Sequence, residues 1–334
     1  MDAINYKLIT ERADIAPACE ELSRHAELGF DTETTSLSPF EGRLRLVQFA
    51  SAEAVYVFDL FALAPGGDAA TNDALEPLRR LLAATRPVKV AHNGKFDAKW
   101  VAHHLGVELC GDFDSRTNDR VEVERGGLFD TLLASQLVSA GEQEDRHGLA
   151  VVVERYLGEA VDKSQQVSDW GGELSGAQLE YAARDAALML PLRAKLVDAL
   201  RANALTRTAQ LEFECVAPLA SMELAGVYLD RACWSTKLKD IEKRRDVLHE
   251  ELQDELAEES AQQSFFGPVR ADINLDSHVQ LTRALTRLGV PVPDSTRNWK
   301  LEPLAAEFPV VGRILEYRTL QKTLKFGETL LDSI

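Results

Sequence analysis

Along the first two hundred residues the apolar positions change period repeatedly. Leu28–Asp31 (LGFD), Leu44–Ala50 (LRLVQFA) and Val55–Leu60 (VYVFDL) are short, rich in branched and aromatic side chains, and bounded by turn residues, as strands are. Val88–Ala91 (VKVA), directly after Pro87, reads as a buried strand. Between them, Leu75–Ala84 and Ala98–Leu105 repeat apolar residues at helical spacing. Strands interleaved with helices predict an α/β layer structure over residues 1–205. The polar, turn-rich run 111–127 reads as a loop.

A long helix is expected from Ser175 to about Asn203, with Ser175 and Gln178 spaced as a capping box at its start. Beyond Ala204 strand signals nearly vanish. Trp234–Glu258 places Leu238, Ile241, Leu248, Leu252 and Leu256 on one helical side; Val311–Leu331 does the same with Ile314, Leu315, Leu320 and Leu324. Turn-rich residues, including Gly267-Pro268 and Pro291-Val292-Pro293, separate the two. Residues 206–334 are therefore expected to form a helical hairpin with an elaborated tip. No internal repeat is visible.

Composition narrows the class. A chain of 334 residues suggests two domains, and 45% hydrophobic with 27% charged residues is the profile of a folded, core-forming protein. No apolar run approaches the ~18–20 residues of a membrane span, and MDAINYKLIT lacks the basic flank and apolar core of a signal peptide. Cys19, Cys110, Cys215 and Cys233 are scattered, with no CxxC pair, which argues against a zinc ribbon or a disulfide framework. A reducing cytoplasmic compartment is the expectation, beside the nucleoid if the source is bacterial. The net charge of −17 opposes simple electrostatic wrapping of nucleic acid. It is compatible with carboxylates clustered to hold divalent metals.

Three such motifs occur. In Asp31-Thr32-Glu33-Thr34-Thr35, strand alternation sends Asp31 and Glu33 to one face and Thr32 to the other. Two carboxylates held that close repel, and one takes up a proton unless a cation lies between them. His92-Asn93-Gly94-Lys95-Phe96-Asp97 follows a strand end that feeds a helix, where α/β sheets place their ligand crevice. Taken alone, Asp97 also suits a helix N-cap, and His92 a hydrogen-bonded structural residue. In Tyr181-Ala182-Ala183-Arg184-Asp185 the first and last residues share a helix face one turn apart.

In this order the three motifs resemble the proofreading-type 3′–5′ exonucleases with a DEDD carboxylate set, in the subclass whose last motif carries tyrosine. The resemblance spans about Lys7 to Leu200. It implies a ribonuclease H-like α/β fold with a mixed sheet, and two divalent cations, Mg²⁺ or Mn²⁺, which suit oxygen-only ligands. It further implies that Asp31, Glu33 and Asp185 hold one cation, that Asp31 bridges to the second, and that Asp97 holds the second through water. Glu33 and the Tyr181 hydroxyl would orient the attacking water. Leu37 falls where the family places an apolar wedge against the terminal bases. Thr34, Asn93 and Arg146 match positions that contact the 3′-terminal nucleotides or their phosphates. Trp170, closing Lys163–Trp170 (KSQQVSDW), offers an aromatic surface for base stacking. Asp130, in Phe129–Ser135, reads as a helix cap.

The second half extends the resemblance to family A DNA polymerases. Phe213–Asp230 is similar to the entry into their polymerase domain, Ile273–Leu281 (INLDSHVQL) to a thumb segment, and Ile314–Leu331 to the thumb helix that begins with EYR. An all-helical, thumb-like portion is therefore expected over 206–334, with palm and fingers absent, so that these residues would not polymerise DNA. The chain would be a piece of a longer polymerase, its other half elsewhere, or a natural exonuclease-plus-thumb product. Lys237, Lys239, Lys243, Arg244 and Arg245 precede Glu250, Glu251, Asp254 and Glu255 on one helix, an order that opposes the helix dipole. An antiparallel partner with Lys322 and Lys325 would gather the bases at one end. Lys243, Arg244 and Lys322, with Ser277 and Gln280 of the thumb segment, are candidates to contact the DNA backbone; a solvated charged face is the competing reading.

The expected activity is metal-dependent 3′–5′ hydrolysis of single-stranded or frayed DNA ends to nucleoside 5′-monophosphates by a monomer that touches no membrane. The alternatives are an RNA 3′-processing exonuclease of the ribonuclease D kind and a catalytically silent DNA-binding fragment.

Overall fold

The computed structural model describes residues 4–111, 127–140, 146–162, 164–165, 167–264, 267–292 and 294–333. Most of the expected 111–127 loop, Lys163 and Pro293 lie outside them. The chain divides into two compact units, residues 1–226 and 227–334. No helix among the described residues is long and apolar enough to cross a membrane.

In the first unit, β1 (Tyr6–Ile9), β2 (Glu27–Thr34), β3 (Leu44–Ala50), β4 (Val55–Asp59), β5 (Val88–Ala91) and β6 (Leu128–Asp130) form a mixed sheet ordered β1-β4-β3-β2-β5-β6. β3 pairs antiparallel with β2 and β4, while β1–β4, β2–β5 and β5–β6 are parallel. β3 and β5 match the sequence expectation residue for residue. β1 and β6 were not anticipated, since four and three residues are too short to establish a period.

Alternation along β2, β3 and β4 divides the core between two faces. On one, Phe30, Phe49 and Phe58 pack with α1 (Ile15–Leu22), α2 (Leu60–Leu63), α3 (Glu76–Ala83) and α4 (Gly94–Leu105). On the other, Leu46, Ala50 and Val57 meet Ala182, Ala183 and Ala186 of α7 (Gly176–Ala202). The expected capping box holds α7 at its start: the Gln178 N–H donates to Ser175 Oγ, and the Ser175 N–H donates to Gln178 Oε1. α5 (Thr131–Val138) and α6 (Leu149–Leu157) complete this layer.

The expected boundary at 205/206 falls inside this unit. Ala209 and Phe213 of α8 (Thr206–Glu214) are buried in the cluster that contains Phe129, with the two phenyl centroids 4.9 Å apart. Val216 and Ala220 of α9 (Val216–Ala225) enter the opposite core, and Glu223 pairs with Lys95 and Lys99 of α4. These long-range apolar contacts carry the unit on to Gly226, and no local sequence signal marks them.

The second unit is built on α10 (Arg231–Leu256) and α13 (Pro309–Asp332), with α11 (His278–Arg287) and α12 (Asn298–Leu301) between them. The long pair is antiparallel. The Trp234 indole N–H donates to the Gly327 carbonyl near one end, and Arg244 pairs with Glu316 further along. Leu248, Leu252, Leu256 and Ile314 are fully buried. The elaborated tip includes a two-stranded hairpin, β7 (Glu258–Ser264) with β8 (Gly267–Ala271), within an otherwise helical unit.

Candidate active site

The site forms where three elements converge. β2 presents Asp31 and Glu33 toward α7, and α7 brings Tyr181 and Asp185 down onto them. This approach depends on Gly29, since a Cβ there would lie 2.0 Å from the Ala186 carbonyl oxygen of α7. Asp31, Glu33 and Asp185 each offer a carboxylate oxygen, all within 4.8 Å of one another.

Asp97 arrives from the opposite face. α4 begins at Gly94 rather than near Ala98, so Asp97 lies inside its first turn and is not its N-cap. Thr32, pointing away from the other acids as strand alternation requires, donates its hydroxyl to Asp97 Oδ1 at 2.6 Å. Asn93 adopts a left-handed conformation (φ 65°, ψ 44°) just before the helix. Asp130 holds that turn, accepting from the N–H groups of Asn93 and Gly94, while its Oδ1 also caps α5 through Leu132 and Leu133. The expected cap thus serves two helices.

Asp31, Glu33, Asp97, Tyr181 and Asp185 all line one cavity of about 400 Å³, together with His92, Asn93, Phe96 and residues 148–150. Burial, followed by repulsion from Asp97, Glu33 and Asp185, raises the Asp31 carboxyl well above its ordinary range. Glu33 is raised by burial and by Asp185 and Asp97. Burial raises Asp97 against the opposing Thr32 hydrogen bond, and raises Asp185 against a hydrogen bond from Tyr181. Tyr181 is itself pushed upward by burial and by Asp185, which keeps its hydroxyl protonated. His92, its Nδ1 2.9 Å from Thr131 Oγ1, is lowered to about 4 by burial and adds no charge at neutral pH.

The donor set fits a hard divalent cation. It is all oxygen and all acidic, it repels itself when ionised, and the buried Asp185 Oδ1 has no hydrogen-bond partner among the described residues.

The remaining candidates divide. Leu37 is 87% exposed, on a loop closed by the Thr35 N–H donating to the Arg43 carbonyl, so its side chain is open to a ligand. Thr34 donates its hydroxyl to the Ser36 carbonyl within the same loop. Arg146 is exposed, two residues before Gly148 of the cavity wall. Trp170 does not offer the expected stacking surface: it is only 4% exposed and is packed in the cluster under α7, with its ring 6.4 Å from that of Tyr181. In the second unit Lys243 and Lys322 are exposed. Arg244 is already paired with Glu316, Ser277 caps α11, and Gln280 Oε1 accepts the Asn274 N–H. Each of these three makes a contact within its own unit, and Arg244 and Gln280 are exposed. Thr32 was missed as a supporting residue, although its place between two acids was a signal. Gln48, opposite Asp31 on β3, gave none.

Comparison with known proteins agrees with this geometry. Residues 6–201, more than half the chain, match the 3′–5′ exonuclease family model of the DNA polymerase A type. A DNA polymerase I from Aquifex aeolicus is 35% identical over 67% of the chain, and a ribonuclease D from Zymomonas mobilis is 31% identical over 59%. The chain spans 34% of the first and 44% of the second. The solved POL domain of Pol1 from M. smegmatis, in complex with DNA primer-template and dNTP, shares the fold over 98% of this chain and 50% of its own, with a TM-score of 0.69 at 20% identity.

Proposed function

The chain belongs to the 3′–5′ exonuclease family of the DNA polymerase A type, and on that premise we propose that it removes nucleotides from single-stranded or frayed DNA 3′ ends with divalent cations bound at the carboxylate cluster. The observation that carries this reading is the convergence of Asp31, Glu33 and Asp185 to within 4.8 Å, with Asp97 on the same cavity. Asp31, Glu33 and Asp185 would hold one Mg²⁺ or Mn²⁺, Asp31 being shared with a second that Asp97 supports. Cations bound here supply Lewis-acid stabilisation of the charge on the attacking and departing oxygens.

The protein's own groups do the positioning. The Tyr181 hydroxyl, held protonated and hydrogen-bonded to Asp185, aims with Glu33 at the water that attacks phosphorus. Thr32 keeps the Asp97 carboxylate from turning away. Cleavage of the bond from phosphorus to the 3′ oxygen releases a nucleoside 5′-monophosphate and leaves a new 3′ hydroxyl. A cavity of about 400 Å³ is small among ligand sites. It suits one terminal nucleotide and not a duplex, which supports frayed or single-stranded substrates.

The DNA reading, with proofreading as its purpose, is supported by the polymerase I relative and by the polymerase fold likeness across both units. The ribonuclease D relative supports a second reading, in which RNA 3′ ends are the substrate. End-labelled DNA and RNA of matched sequence, incubated with Mg²⁺, Mn²⁺ or chelator, separate the two. Metal-dependent shortening of DNA, faster than RNA, is expected; Asp31→Ala should abolish it and Tyr181→Phe should slow it. Faster loss of RNA would establish the second reading. Cleavage of neither strand with either cation would leave only a nucleic-acid-binding fragment.

A further inference from the structure

Gln48 is wholly buried, and neither its Oε1 nor its Nε2 has a hydrogen-bond partner among the described residues. A buried polar group left unmet is a cost to the fold that a native structure normally avoids. Its neighbours narrow what it serves. In the antiparallel pairing of β2 with β3 it stands directly opposite Asp31, and such residues share a face with Cβ atoms about 4.5–5.5 Å apart. Across β4 it faces Val57, and Leu46 and Ala50 flank it along its own strand. Asp59, diagonal on β4, already accepts from Arg45 and from the Phe61 N–H on its two oxygens. On this face Asp31 is the polar residue directly across from Gln48, with Glu33 diagonal to it on β2.

We propose that Gln48 is a positioning residue for Asp31: its Nε2–H donates to one carboxylate oxygen and so fixes the direction in which the other would meet a cation. The inference deepens the metal-dependent reading above and rests on it. A neutral amide is suited to this task, because it orients an ionised carboxylate without cancelling the charge that attracts the metal. A lysine or arginine there would compete with the cation. Supporting partners of this kind typically change metal affinity about 10–100-fold when removed.

The test is Mn²⁺ binding to the whole chain by titration calorimetry, for wild type and Gln48→Met, with thermal unfolding of each in chelator. Methionine keeps the volume and removes both unmet polar atoms. A purely structural Gln48 predicts equal or greater stability in the variant and unchanged Mn²⁺ affinity. The positioning role predicts equal or greater stability together with affinity weakened about tenfold or more. If the variant does not fold, the wild-type protein still decides. With ¹⁵N-labelled glutamine, the Gln48 side-chain amide should shift and become protected from exchange when Mg²⁺ is added, and an unmoved resonance overturns the role. Wild-type protein that binds no Mn²⁺ removes the metal-dependent reading itself. Tight and equal binding by both proteins removes only the role of Gln48.

Discussion

Asp31, Glu33, Asp97 and Asp185 are each raised above the ordinary carboxylate range, and burial is the first cause in every case. The sign of the consequence is set by that direction. A carboxyl whose folded-state pKa is raised favours the fold while it is neutral, so its contribution is complete below the ordinary value near 4 and is lost as pH rises through the raised one. With Asp185 raised to about 6, Asp97 to about 7 and Glu33 to about 9, the window runs from about pH 4 to 9. In chelator the melting temperature should therefore fall across that window, and millimolar Mn²⁺ should flatten the fall. A flat profile in chelator would mean that the acids do not strain the fold. At this scale strand alternation made the shared face of Asp31 and Glu33 readable from five consecutive letters. The burial of Trp170 was not readable, because it is set by α7 and β3, which lie elsewhere in the chain.

At the scale of elements the site depends on how closely α7 lies on β2. Gly29→Ala places a methyl group against the Ala186 backbone carbonyl, which cannot rotate aside, so the helix must shift. We expect a loss of about 1–3 kcal/mol in urea unfolding, the usual range for overpacking. Cleavage should slow as well, since Tyr181 and Asp185 ride on that helix; a variant with wild-type stability and rate would contradict the close approach. The long helices were legible because each repeats its apolar spacing over many turns, and α7 also carries its cap in its letters. The start of α4 was misplaced because Asp97 suits an N-cap, whereas Asp130, distant in sequence, holds the turn before Gly94. The β7–β8 hairpin is composed of polar segments, EESAQQS and GPVRA, with no apolar alternation to announce it.

At the scale of the whole molecule, the proposed function asks an acidic chain of net charge −17 to hold a polyanion, which it could do only locally, at cations and at small basic areas. In the second unit the antiparallel pairing of α10 with α13 sets Trp234 beside Gly327 and Arg244 beside Glu316, so Lys243 and Lys322 lie along the middle of the pair and not at one end, and both are exposed. Reversing both to glutamate should reduce the magnitude of the salt slope of DNA binding by about 1–2 if each neutralises one phosphate. An unchanged slope would make this a solvated charged face.

What the sequence determined alone was local: which segments are strands or helices, which acids share a face, and where α7 begins. Each of these follows from neighbours within a few residues. Only the tertiary structure decided that Asp97 crosses from the other side of the sheet on the arm of Thr32, and that the first unit continues to Gly226. The same holds for the contacts that Arg244, Ser277 and Gln280 make within their own unit, and for Gln48, opposite Asp31 and unpaired among the described residues. The reason is that packing joins residues far apart in the chain, and the free energy of burying or pairing a side chain depends on partners that no local pattern names.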